Sequence, residues 1–293
     1  MTIIIGVLCQ DGAVVGADTT VTTTNTDRIA VAKDTTQKIR VFEEHCAVFT
    51  HCGEGGDGQR LERHFRNVAR EVATRRRRVS IVDVAELVQK GVHSAFAPYI
   101  DGVQHAFHEA TSRDVGLDEF ERFYSRVSGS NGCIFTIPTS DGPAIIAVEG
   151  GGRACWHLSP PRETTVVMGS GDTIGLPFLL FVRRVVWDSQ IPFVDDAVLG
   201  VLWTIQHAIG HAVSGVGGEA QIAVMRDGER SAQMLGPEEL GVPKRLIEEI
   251  EESMRDVGRR GVHPDDAVPS PPDSPSTRRA ARGTRRPARP PPK

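Results

Sequence analysis

The first eighteen residues read Met1-Thr2-Ile3-Ile4-Ile5-Gly6-Val7-Leu8-Cys9-Gln10-Asp11-Gly12-Ala13-Val14-Val15-Gly16-Ala17-Asp18. Two apolar runs rich in β-branched residues flank an Asp-Gly pair, the pattern of a buried hairpin with strands over Ile3–Leu8 and Ala13–Asp18. Thr2 stands one methionine from the chain start, at the head of the first strand. Were Met1 removed, Thr2 would carry its own base beside its hydroxyl. A free α-amine titrates near pH ~8, so a useful fraction is unprotonated at neutral pH.

Further strands are predicted at Gln37–Phe42 and Cys46–Cys52. A helix follows over about 57–74, with Leu61, Phe65, Val68 and Val72 on one face. A second helix starts after Ser80, with Asp83 three residues on as a cap partner. Strands return at Cys133–Ile137, Ala144–Val148, Ala154–Leu158 and Thr165–Met168, then helices at Ile174–Trp187 and Phe193–His211, and a strand at Gln221–Arg226. Strands, two helices, strands, two helices and a strand fit two stacked sheets between helical layers. Lys244–Val257 reads as one more amphipathic helix, packed outside or at a subunit contact. The stretch from about 96 to 130, with Phe107, Leu117, Phe120, Phe123 and Val127, reads as a helical insert.

The order of short motifs resembles the proteasome β-subunit and HslV group of N-terminal-nucleophile (Ntn) hydrolases. Matching residues are Thr2, the Asp11-Gly12 turn, Gly16-Ala17-Asp18-Thr19, Thr22, Gln37-Lys38-Ile39, Cys52-Gly53-Glu54-Gly55-Gly56-Asp57, and much later Met168-Gly169-Ser170-Gly171. The likeness spans roughly residues 2–226. It implies an α+β fold, the four-layer αββα sandwich of the Ntn-hydrolase type, here followed by a disordered C-terminal tail. Residues 1–262 would form that domain and 263–293 the tail.

By the same resemblance Thr2 is nucleophile and base. Lys38 lies beneath it to lower the proton affinity of the amine, and Asp18 is the counter-ion that a buried lysine requires. Gly53 would offer a backbone N–H to a developing oxyanion, and Ser170 would bond the Thr2 amine. Val21, Thr22, His51 and Gly55 would line the substrate site. Gly53-Glu54-Gly55-Gly56 also reads as a plain strand-to-helix connector, and the turn at Ser170 also as an anion cradle. Lys33 is the nearby alternative to Lys38, because the loop between Asp18 and Lys38 is a few residues longer than usual in the group. Two positions depart from the pattern. Ser214 is retained, but the aspartate three residues before it is His211, which leaves activity in question, and the arginine after the hairpin aspartate is Thr20. His105 and His108 read as surface residues.

The expected activity is a threonine peptidase cutting peptides or unfolded protein inside a homo-oligomeric ring, with an ATPase or other regulator as a further expected partner. A small-molecule amidase with the same nucleophile and an inactive ring subunit are the alternatives. No cofactor or metal is expected. Five cysteines scattered without a CxxC pair suit reduced thiols in a cytoplasmic setting. The most apolar run, Ile174–Trp187, is too short and too interrupted for a membrane span. Seven basic residues and no acid follow Ser276, so the formal −4 of the chain leaves about −11 on the rest. That Pro/Arg tail lacks apolar periodicity and reads as a solubilising extension, with nucleic-acid binding as its other reading.

Overall fold

The computed structural model describes residues 2–24, 30–53, 55–75, 79–111, 132–149, 154–211, 215–229 and 231–260, with backbone alone at 22–24, 30–35 and several positions from 98 to 111. Two compact units divide the chain, Met1–Glu249 and Ile250–Lys293.

The opening hairpin forms as its sequence predicts: β1 (Ile4–Leu8) pairs antiparallel with β2 (Gly12–Asp18), Ile4 opposite Ala17 and Leu8 opposite Ala13. Every residue of both strands is buried, as continuous apolar runs in a central layer must be. The strands β3 (Thr20–Thr24) and β4 (Ala30–Thr35) pair as a separate two-stranded sheet and account for the long connection before Lys38. No strand is expected there from sequence, because the run is Thr-rich without alternation. Next come β5 (Ile39–Phe42) and β6 (Ala47–Cys52), then helices α1 (Gly55–Thr74) and α2 (Ile81–Thr111). Ser80 caps α2 by accepting from the Asp83 N–H at 3.2 Å and donating to its carboxylate at 2.7 Å. The helix runs on through Phe96 to Thr111, so the first part of the expected insert continues α2. Residues 112–131 lie outside the described residues, as do those from 261 on, including the basic tail.

The remaining elements are β7 (Gly132–Thr139), β8 (Gly142–Glu149), β9 (Ala154–His157), β10 (Thr165–Met168), α3 (Asp172–Val185), α4 (Val194–His211), β11 (Ala220–Arg226), β12 (Gln233–Met234) and α5 (Gly241–Arg260). One five-stranded sheet has the order β10-β1-β2-β11-β12, the other β5-β6-β7-β8-β9, and every pairing is antiparallel.

The sheets bury their facing sides against each other through Ile4, Val15, Ile39, Val48, Ile134 and Ile145. On the far side of the second sheet, Phe49 and Phe135 pack on Phe65 of α1 and on Val88 and Val92 of α2. On the far side of the first sheet, β2 lies so close to α4 that a Cβ at Gly16 would meet Val201 and Ile205. The architecture is therefore the αββα sandwich of the Ntn-hydrolase type. Within Met1–Glu249, α5 buries Ile247 while Val242 and Leu246 stay exposed. In the second unit the end of α5 carries Glu251–Arg255 and Asp256–Arg259 pairs at 3.3 and 3.6 Å. Among the described residues no helix is long and apolar enough to cross a membrane.

Candidate active site

Thr2 sits where the starts of β1 and β5 meet the ends of β2 and β10. Its hydroxyl accepts a hydrogen bond from the Lys38 ammonium at 2.8 Å, and the same ammonium donates to Asp18 Oδ1 at 2.7 Å. Thr2, Asp18 and Lys38 are all buried, with 9, 0 and 5 % of their surfaces exposed. An ammonium has donors only, so the Thr2 oxygen receives this bond and keeps its own proton to give elsewhere. The Thr2 backbone nitrogen donates to Ser170 Oγ at 3.1 Å, and its carbonyl accepts from the Gly171 N–H at 3.2 Å. With Met1 attached that nitrogen is an amide and not a base.

The buried carboxylate is well supplied with donors. Besides Lys38, Asp18 accepts from the Ile3 N–H at 3.0 Å and, through its other oxygen, from the Gly217 N–H at 3.1 Å. One side chain thus ties the start of β1 to the loop before β11. Burial lowers the proton affinity of Lys38 and the Asp18 charge opposes that shift. The thiol of Cys52 is no rival nucleophile, because burial pushes it up to about 11. The other four cysteines are shifted the same way, burial being the first cause in each.

A residue absent from the motif reading fixes Lys38 in place. Gln221, on β11 of the first sheet, accepts through Oε1 from the backbone N–H groups of Lys38 at 2.9 Å and Ile39 at 3.3 Å, and donates through Nε2 to the Thr36 carbonyl at 3.3 Å. Its amide takes the place of a neighbouring strand where the chain enters β5, an edge strand of its sheet. A glutamine in a strand carries no motif, and only tertiary pairing discloses it. Gly217 is hidden for the same reason, since it acts through its backbone.

A cavity of about 260 Å³ opens beside Thr2, lined by Val21, Thr36, Gln37, Lys38, Arg40, His51, Gly53, Gly55, Gln59 and Glu62. It contains three of the four residues expected to line a substrate site; of the fourth, Thr22, only the backbone in β3 is described. Arg40 faces Glu62 at 3.6 Å and donates to Gln37 at 3.3 Å, so the cavity carries a charged pair with the cation tethered. His51 stacks on Phe49, ring centroids 5.9 Å apart. Burial first, then the charges of Lys38 and Arg40, hold its proton affinity below the ordinary histidine range, so the cavity wall is neutral there at pH 7.

Ser214 and the side chain of Lys33 lie outside the described residues. His211 is at the exposed end of α4, its ring stacked on His207 at 4.2 Å and its Nδ1 2.9 Å from the His207 carbonyl. His105 and His108 are exposed on α2.

Comparison with known proteins bears on the fold. Residues 2–104 match the proteasome subunit family. No curated protein matches the chain. Among solved structures it is similar to Anbu, an ancestral β-subunit, from Yersinia bercovieri, at 11 % identity and a TM-score of 0.60 over 88 % of this chain and 97 % of that one. It is similar to the helical assembly of the Anbu complex from Pseudomonas aeruginosa at 16 % identity and a TM-score of 0.57, over 92 % and 98 %. A Gly-1 mutant of Anbu from Hyphomicrobium sp. strain MC1 gives 13 %, 0.57, 88 % and 97 %. The resemblance to the proteasome β-subunit and HslV group is thereby borne out in the matched family and in the fold.

Proposed function

We propose that this chain is an N-terminal threonine peptidase of proteasome type that works within an oligomeric assembly. The observation that carries the reading is the bridge from Asp18 through the Lys38 ammonium to the Thr2 hydroxyl, with both contacts under 3 Å and all three groups buried. Removal of Met1 turns the Thr2 nitrogen from an amide into an amine. That amine takes the hydroxyl proton as the oxygen attacks a peptide carbonyl, while the neighbouring ammonium favours the amine's unprotonated form and the developing alkoxide. Ser170, already within hydrogen-bond reach of the nitrogen, passes the proton toward the leaving amine. The Gly53 N–H stabilises the oxyanion. Water then hydrolyses the threonyl ester and restores the site. Val21, Thr22, His51 and Gly55 contact the side chain of the residue whose carbonyl is attacked. The assembled state of the similar Anbu complex supports an oligomer here.

Intact mass and a peptide electrophile test the reading together. The purified chain should lack Met1, and a peptidyl epoxyketone or boronate should modify Thr2 and stop hydrolysis of a short fluorogenic peptide. Thr2→Ala should abolish turnover and labelling without altering assembly. Retention of Met1 on most molecules, or hydrolysis by Thr2→Ala, would overturn it.

A further inference from the structure

The cavity beside Thr2 is polar almost throughout, Val21 being the one aliphatic side chain among the residues that line it. Its charges are unevenly matched. Lys38 is answered by Asp18 at 2.7 Å, and Glu62 by two arginines, Arg66 one turn further along α1 at 3.0 Å and Arg40 of β5 at 3.6 Å. Arg66 is held in turn over the ring of Phe42, 4.7 Å from its centroid. Glu62 thus gives its closer bond to Arg66, and in this cluster three cations stand against two carboxylates. Arg40 is the cation on the cavity wall with capacity to spare. Its Nη1 donates to Gln37 Oε1 at 3.3 Å and its Nε lies against Glu62, while its Nη2 has no partner among the described residues. The guanidinium is therefore oriented before any ligand arrives, and less side-chain freedom is lost on binding.

We propose that this cavity selects an acidic side chain, so that Thr2 attacks the carbonyl of a glutamate in its substrates, and that Arg40 is the residue that reads it. A glutamate carboxylate completes the fork of the guanidinium and offsets the excess charge. An apolar side chain would strip water from Arg40, Gln37 and Gln59 and return no hydrogen bonds. A lysine or arginine would compete for a Glu62 carboxylate that already has two cations, under repulsion from Arg40. This selection rests on the proposed threonine chemistry for the position of the cut; the preference of the cavity for a carboxylate does not.

Hydrolysis of fluorogenic peptides that differ only in the residue before the reporter, Glu, Gln, Leu or Lys, tests it on the full chain. The Glu peptide should have the highest kcat/KM, at least about tenfold above Gln and Leu and further above Lys. Salt at about 0.5 M should narrow the margin of Glu over Gln. Arg40→Gln should remove that margin, and Arg40→Glu should raise the Lys peptide above the Glu peptide, a gain that a misfolded variant would not give. The same peptides as plain amides, titrated against Thr2→Ala by saturation-transfer NMR, read the cavity without the reaction. Glu should bind at least about threefold tighter than Lys there, and adding Arg40→Glu should invert the order. A preference for Leu or Lys, no preference at all, or an order that Arg40→Glu leaves unchanged would overturn the selection. A chain that cuts at Thr2 but favours Leu or Lys defeats the acidic selection alone. Arg40-dependent binding of the Glu peptide beside a Thr2 that neither labels nor cuts defeats the chemistry alone.

Discussion

Asp18→Asn removes the negative charge in direct contact with a lysine that is 95 % shielded from water, and its cost can be worked out from that geometry. Breaking a buried pair by removing one partner costs about 3–5 kcal/mol. Lys38 has one escape, to give up its proton. From an unfolded pKa of about 10.4, at about 1.36 kcal/mol per unit, that escape costs about 4.6 kcal/mol at pH 7 and about 1.9 kcal/mol at pH 9. The penalty is therefore about 3–5 kcal/mol at pH 7 and no more than about 2 kcal/mol at pH 9. The sign follows from linkage: burial lowers the proton affinity of Lys38 in the folded state, the unfolded chain binds more protons in this window, and stability rises with pH. Asparagine adds a pH-independent loss, because its amide nitrogen faces either the Ile3 or the Gly217 N–H in place of an acceptor. Urea unfolding of wild type and variant at pH 7 and pH 9 measures both parts. A variant within about 1 kcal/mol of wild type at pH 7, or a deficit that does not shrink by pH 9, would refute the reasoning.

Three other outcomes are expected. Gln221→Leu should leave the Lys38 and Ile39 N–H groups without their acceptor, costing about 1–3 kcal/mol for each group that stays buried; electrophile labelling of Thr2 should slow at least about tenfold, with Gln221→Glu, which keeps the acceptor, recovering part of the rate. Gly169→Ala puts a Cβ against the Thr2 carbonyl at a backbone φ of +98°, so it should cost about 1–3 kcal/mol by denaturant titration and slow Thr2 labelling, whereas Gly142→Ala, with a similar φ but open space, should lose stability only. His51 and His64 both have depressed proton affinities from burial, so the unfolded chain takes up protons first and stability should fall as pH drops below about 6.5; the double variant His51→Gln/His64→Leu should flatten that fall in unfolding curves taken from pH 7 to pH 5.

The parts of the fold legible in sequence are those whose pattern is local. The buried hairpin was set by two β-branched runs about Asp11-Gly12, the start of α2 by Ser80 and Asp83, and α1 by its spaced Leu61, Phe65 and Val68. The hairpin β3–β4 was not legible, since Thr20–Thr24 has Val21 as its one apolar residue and its pairing with Ala30–Thr35 is a matter of register. For the candidate site, motif order and resemblance led to Thr2, Asp18, Lys38 and Ser170, which the structure brings together. Gln221 and Gly217 escaped because a side-chain amide and a backbone N–H have no sequence signature. Arg40 and Glu62 in the cavity wall belong to β5 and α1, and nothing in either element alone points to the other.

The grip of Gly217 on Asp18 and of Gln221 on the backbone of Lys38 spans 199 and 183 residues of chain. A ribosome that has made only the first two hundred residues has therefore released a threonine, a lysine and an aspartate without the strand that locks them in register. Contacts of such separation form last, because the loop between them must close first. The nascent chain therefore cannot complete the bonds of this site until almost the whole sandwich has been synthesised, and peeling β11 away would undo them in a finished molecule.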